Sequence, residues 1–288
     1  MRYILSILLT VFAVVSLHAT TLRRDTVPDD EEDPYYLLCG QADAAIKDGK
    51  FDEAAARLID AMSVRPDSPQ NILLLSNLGM VYSYMGRDSL ALATLDEALR
   101  RAPSMRTVLS NRAHVLLNMG RDSEAMRDFT AVIASDSLNT DARFYHGTIS
   151  LYNGDLQSAE KDFQVLESVA PDATDTAIAL STLYSMTGRD KEAIPYLKKV
   201  ISIEPSPIYY STLAGCFLSL QELSNASEII GEALKKYPND PELYYYRAML
   251  NRDRYRLDEA KADAQKAVKL GLSPAKASSL FRKDNNKH

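Results

Sequence analysis

Between Ile72 and Met105 the apolar and small positions fall at Leu75, Leu78, Gly79 and Tyr82. They lapse at Gly86 and resume at Ala91, Leu95 and Ala98, until Pro103 ends the run. Spacings of three and four predict two short helices, with the glycine in the turn between them. One such hairpin cannot bury both of its apolar faces, so copies have to stack. Degenerate copies occupy most of the chain. Matching the small residue of the first helix, the turn, the alanine early in the second helix and the terminal proline places units at 35–71, 72–105, 106–139, 140–173, 174–206, 207–240 and 241–274.

The eighth position of each unit is small: Ala42, Gly79, Ala113, Gly147, Ser181, Ala214 and Ala248. The twentieth is alanine throughout, at Ala54, Ala91, Ala125, Ala159, Ala193, Ala226 and Ala260. Small residues there let the paired helices approach closely. Gly49, Gly86, Gly120, Gly154 and Gly188 occupy the turn, where a positive φ ends the first helix. The last two units have Gln221 and Tyr255 instead, which predicts strained or differently shaped turns. Asp52, Ser89, Ser123, Ser224 and Asp258 are the expected caps of the second helices. Pro66, Pro103, Pro171, Pro205 and Pro238 close the units, with Ser137 in that place in the third. Extra residues near Ser68, Pro69 and Gln70 predict a longer loop after the first unit, and Pro195 predicts a slight bend in its helix. Residues 275–288 read as a short capping helix, over 275–282, and a frayed tail.

A period of 34 with these residues at these offsets resembles the tetratricopeptide repeat family. The resemblance implies an all-α fold, a right-handed α-solenoid of seven hairpins plus the short C-terminal capping helix. It also implies that the second, fifth, ninth and twelfth positions of each first helix line a concave groove. The candidate partner-binding residues at those offsets are Tyr36; Met80 and Ser83; His114 and Leu117; Phe144 and Leu151; Ile178; Leu218; and Tyr245, Met249 and Arg252. One branch of the family grips the carboxylate end of chaperone tails with cations in this groove. Only Arg252 supplies a cation here, so that mode is disfavoured. A mixed apolar and polar groove suits a peptide or a helical segment of a protein partner.

The ends of the chain add an address. Arg2, an apolar run from Tyr3 to Leu17, and Ala19 read as a signal peptide over residues 1–19. The chain is then exported, most naturally to a bacterial periplasm, with no stable membrane span once the segment is cut; retained, the segment is an anchor. Residues 20–34, with five consecutive acids from Asp29 to Asp33, read as a disordered acidic linker. With 33 Lys and Arg against 39 Asp and Glu the chain lacks the basic excess that nucleic acid demands.

Candidate chemistry is thin. There is no HExxH, GxSxG, phosphate-binding loop or CxxC. Cys39 and Cys216 fall in the first and sixth units and read as unpaired, packed thiols. His114 and His146, on different helices, and carboxylates such as Asp43 and Asp141 read as packing and surface residues. No cofactor and no metal is expected. The sequence reads as a non-catalytic interaction scaffold assisting an envelope or secretion complex; the alternative is a recognition or accessory subunit of an envelope enzyme or sensor.

Overall fold

The computed structural model describes residues 33–281. The signal peptide, all of the acidic linker before Asp33, and the tail beyond Phe281 lie outside them. The described residues form fifteen α-helices and no strand. The chain divides into two compact units, residues 1–149 and 150–288.

The first unit holds α1 (Pro34–Lys47), α2 (Phe51–Val64), α3 (Asn71–Tyr84), α4 (Asp88–Arg101), α5 (Arg106–Asn118) and α6 (Asp122–Ser135). It also holds most of α7 (Thr140–Tyr152). Its core is a chain of clusters. Leu58, Leu74, Leu78 and Val81 join the first hairpin to the second, and Leu95, Val108, Val115, Phe129 and Val132 continue across the third. Burying such a side chain stabilises the fold by about 1.5–3 kcal/mol. Close approach needs the small eighth position: a Cβ on Gly79 would lie 2.6 Å from Leu95 Cγ. All seven alanines at the twentieth position, in both units, are fully buried.

The second unit continues with α8 (Leu156–Val169), α9 (Thr174–Met186), α10 (Asp190–Ile203), α11 (Pro207–Ser219), α12 (Leu223–Lys236), α13 (Pro241–Asp253), α14 (Leu257–Lys269) and α15 (Pro274–Ser279). Its last cluster is built largely from alanines, with Ala248, Ala264, Ala267 and Ala277 around Tyr244, Leu272 and Leu280. Second helices followed by a terminal proline stop two residues short of it, as α4 does before Pro103. The helix before Ser137, α6, ends at the same place without one. The loop after α2 is longer, as expected. Asn71, the first residue of α3, closes it, donating from Nδ2 to the Arg65 carbonyl at 2.7 Å and accepting from the Tyr35 hydroxyl at 3.1 Å.

The turns bear out the strain expected at Gln221 and Tyr255 and correct the expected caps. Gly49 takes φ 71°, its N–H donates to the Ile46 carbonyl, and that of Lys50 donates to the Ala45 carbonyl. Gln221 and Tyr255, each at φ 60°, make the same pair of bonds. Those turns therefore keep the glycine shape and bear its strain. The Tyr255 side chain is 92% exposed, so it contributes little packing in return. Replacing Tyr255 with glycine is expected to stabilise the protein by about 0.5–1 kcal/mol, read as a higher urea midpoint at unchanged slope.

The correction concerns caps. The residue directly after the left-handed one becomes the cap, so Lys50, Arg87, Arg121, Glu222 and Arg256 stand there, and none of them caps the helix with its side chain. Asp52, Ser89, Ser123, Ser224 and Asp258 sit at the second helical position instead, where the two aspartates favour the helix N-terminus by charge alone. Side-chain capping occurs elsewhere. Asp33, Asp155 and Asp240 accept from the N–H of Tyr35, Ser158 and Leu243.

Two hairpins carry a clamp that the apolar pattern does not predict. Arg112 on α5 donates from Nε and Nη2 to both carboxylate oxygens of Asp128 on α6, each at 2.8 Å, and from Nη1 to Asp96 at 2.7 Å. Arg247 on α13 makes the same forked bond to Asp263 on α14. Asp128 and Asp263 are buried, and the paired guanidinium holds each carboxylate in place of water.

Candidate binding surface

The candidate groove residues divide by accessibility. In the first unit Met80, His114 and Leu117 are buried, Ser83 and Phe144 are half-buried, and Tyr36 is 38% exposed. In the second unit Leu151, Ile178 and Leu218 are buried. The offset along a helix fixes the direction in which a side chain leaves it. Helices packed about 8–10 Å apart then bring a neighbour's side chains over the apolar ones. These six residues therefore belong to the packing of the stack, and partners can reach only what lies between them.

Among the groove candidates of the first unit, a polar group surrounds His114. Its Nε2 lies 3.1 Å from Asp141 Oδ2, which also accepts from the Ser110 hydroxyl at 2.9 Å. The imidazole stands edge-on to Phe129 at 5.5 Å and to Tyr145 at 4.6 Å. Phe144 in turn meets Tyr145 edge-on at 5.0 Å. Burial pushes the Asp141 carboxyl upward, but the histidine and the hydroxyl outweigh it and hold the group below the usual carboxylate range. The Asp141 side chain remains 47% exposed, so an ionised carboxylate sits at the surface with the half-buried Phe144 ring three residues further along the same helix. The serine contacts the aspartate and not the imidazole, so the three do not form a nucleophile and base pair.

In the second unit the chain covers its own candidates. The Lys276 ammonium on α15 stands 4.8 Å from the Tyr245 ring centroid, and Met249 packs against the cluster containing Ala277 and Leu280. Arg252 donates from Nε to Asp253 at 2.9 Å and from Nη1 to the Leu280 carbonyl at 3.3 Å. The one cation at the groove offsets is thus engaged at home. Tyr36 is flanked by Tyr35, edge-on at 5.4 Å, and by the Arg65 guanidinium at 5.2 Å. Both thiols are free, and burial, reinforced by Asp190, pushes Cys216 up to about 12.

Two tetratricopeptide repeat models match, one over residues 35–104 and the other over 175–207. Those stretches are tetratricopeptide repeats. A solved tetratricopeptide repeat protein from Parabacteroides merdae is 23% identical, with TM-score 0.62, over 86% of this chain and 97% of that one. The type IV pilus biogenesis factor PilW is 19% identical, with TM-score 0.63, over 73% of this chain and 96% of that one. Both likenesses concern the fold. A further match is the DnaJ homolog subfamily C member 7 homolog of Dictyostelium discoideum, 24% identical over 176 residues, 55% of this chain and 33% of that relative. The chain therefore spans about a third of that relative's length. Among the described residues no helix is long and apolar enough to cross a membrane.

Proposed function

We propose that the protein is a non-catalytic interaction scaffold, exported to the cell envelope, whose repeats hold a peptide or helical segment of a protein partner and assist an envelope or secretion complex. The observation that carries the reading is the Asp141 carboxylate, held ionised at the surface beside the half-buried Phe144, where six of the other groove positions are buried. A fixed anion next to an aromatic ring suits a segment with a lysine or arginine close to an apolar side chain. It does not suit an acidic tail. The apolar run at residues 3–17 and the likeness of the fold to a pilus biogenesis factor support export.

The test is affinity capture from a native envelope extract with the wild type and with Asp141→Lys combined with Phe144→Ala. Both positions are accessible, so helical content should stay at the wild-type level. Capture of a defined protein by the wild type alone supports the reading. Identical capture by both proteins moves the binding surface away from α7.

A further inference from the structure

The two ends of the repeat array depart from its pattern in opposite senses. At the twenty-fourth position six of the units have a large apolar residue, Leu58, Leu95, Phe129, Phe163, Leu197 and Ile230, each at most 1% exposed. The seventh has Ala264. The missing volume shows. Between α14 and α15 lies an apolar cleft of about 470 Å³, floored by Ala264, Val268, Ala277 and Phe281 and rimmed by Lys261 and Lys269. Neither lysine forms an ion pair among the described residues.

The first hairpin has the converse departure. At the twenty-fifth position the other units carry Asp96, Thr130, Gln164, Lys198, Gly231 and Gln265, whereas the first carries Ile59, 44% exposed. At the third position the other units bury their residue, for example Leu74 at 6%, Val108 at 0% and Leu243 at 0%. Among the described residues no hairpin stands before the first, and its Leu37 is 55% exposed. Charge runs the same way. Residues 29–65 hold ten acidic and four basic side chains, a net of −6, while residues 254–281 hold six basic and three acidic, a net of +3.

We infer that the cleft between α14 and α15 receives the first hairpin of a second copy of this chain, with Ile59 and Leu37 entering the volume left by Ala264 and acidic side chains of that hairpin facing Lys261 and Lys269. The contact is heterologous. One copy offers the apolar projection and the other the cleft, so each copy keeps one free end and assembly proceeds head to tail. Opposite net charge orients the encounter and makes it sensitive to salt.

Sedimentation velocity of the purified chain up to about 200 µM tests this, a range that reports dissociation constants in the micromolar regime. The expected result is a weight-average mass that rises with concentration and falls when salt is raised to about 0.5 M. Ile59→Glu, which spoils the projection, and Lys261→Glu with Lys269→Glu, which reverses the rim, are each expected to weaken association by about tenfold or more. All three positions are on the surface, so thermal melts should match the wild type. Ala264→Leu, which restores what the other hairpins carry, should have the same effect on association.

The deciding experiment mixes the Ile59→Glu protein with the Ala264→Leu protein. Each retains the half that the other has lost, so the mixture should form one-to-one pairs and stop there. A wild type that stays monomeric overturns the inference, as does association that these variants leave unchanged. So does a monomer whose cleft binds a free peptide of residues 51–64 with undiminished affinity after Ile59→Glu is introduced into that peptide; the cleft would then serve another protein. A mixture of the two variants that yields no pairs points to a symmetric contact and equally overturns it.

Discussion

Arg112→Met is expected to lower the free energy of unfolding by about 3–5 kcal/mol, whereas Arg112→Met combined with Asp128→Leu should be close to neutral. Asp128 is 5% exposed, and both of its carboxylate oxygens are bonded to the Arg112 guanidinium. Removing the arginine leaves a buried charge without its partner, because Arg121 is committed to Glu124 through bonds of 2.6 and 2.8 Å. Removing both members exchanges a polar contact for an apolar one between α5 and α6, where the neighbouring cluster can absorb it. Urea unfolding of the two variants measures the difference. A double variant as unstable as the single one would count against the clamp.

Phe129→Ala is expected to destabilise by about 3–5 kcal/mol, and its effect should also reach the surface. The ring is fully buried in the core between α4, α5 and α6. It stacks against Tyr145 at 5.5 Å and meets the edge of His114 at 5.5 Å, so its loss removes one wall of the imidazole's seat. A loosened His114 holds Asp141 less firmly, and the depressed carboxyl pKa should move back towards the ordinary range. Urea unfolding reads the first effect, and carbon-detected NMR titration of the Asp141 carboxyl reads the second. A large loss of stability with an unmoved Asp141 titration would show that the core and the surface group are independent.

The hairpins are legible in the sequence because their signal repeats. The small eighth position, the alanine at the twentieth and the turn glycines each recur at fixed offsets, and local spacing is what helical packing depends on. The clamp is harder to see, because Arg112 and Asp128 stand 16 residues apart on different helices. Comparing units would have exposed it. Arg112 with Asp128 and Arg247 with Asp263 both set an arginine at the seventh position of a unit and an aspartate at the twenty-third, a recurrence visible in the sequence. The expected caps fail for a geometric reason: the left-handed residue is followed at once by the cap, two positions earlier than the polar residues suggest. Groove membership was readable as direction and not as access. Leu117 and Leu218 sit at the expected offsets, yet how far a neighbouring helix closes over them depends on side-chain sizes in the next hairpin.

The alanine-rich cluster at the end of the second unit also bears on how the molecule breathes. Ala264, Ala267 and Ala277 bury little area each, and α15 spans only six residues. Opening this last hairpin exposes less apolar surface than opening those built on leucine and phenylalanine, so amide exchange and proteolytic nicking should begin there. An occupant of the cleft would supply the large side chains that the hairpin lacks, and by mass action would slow both. Protection of the amides of α14 and α15 would then rise with protein concentration, turning the least stable turn of the fold into a gauge of its assembly.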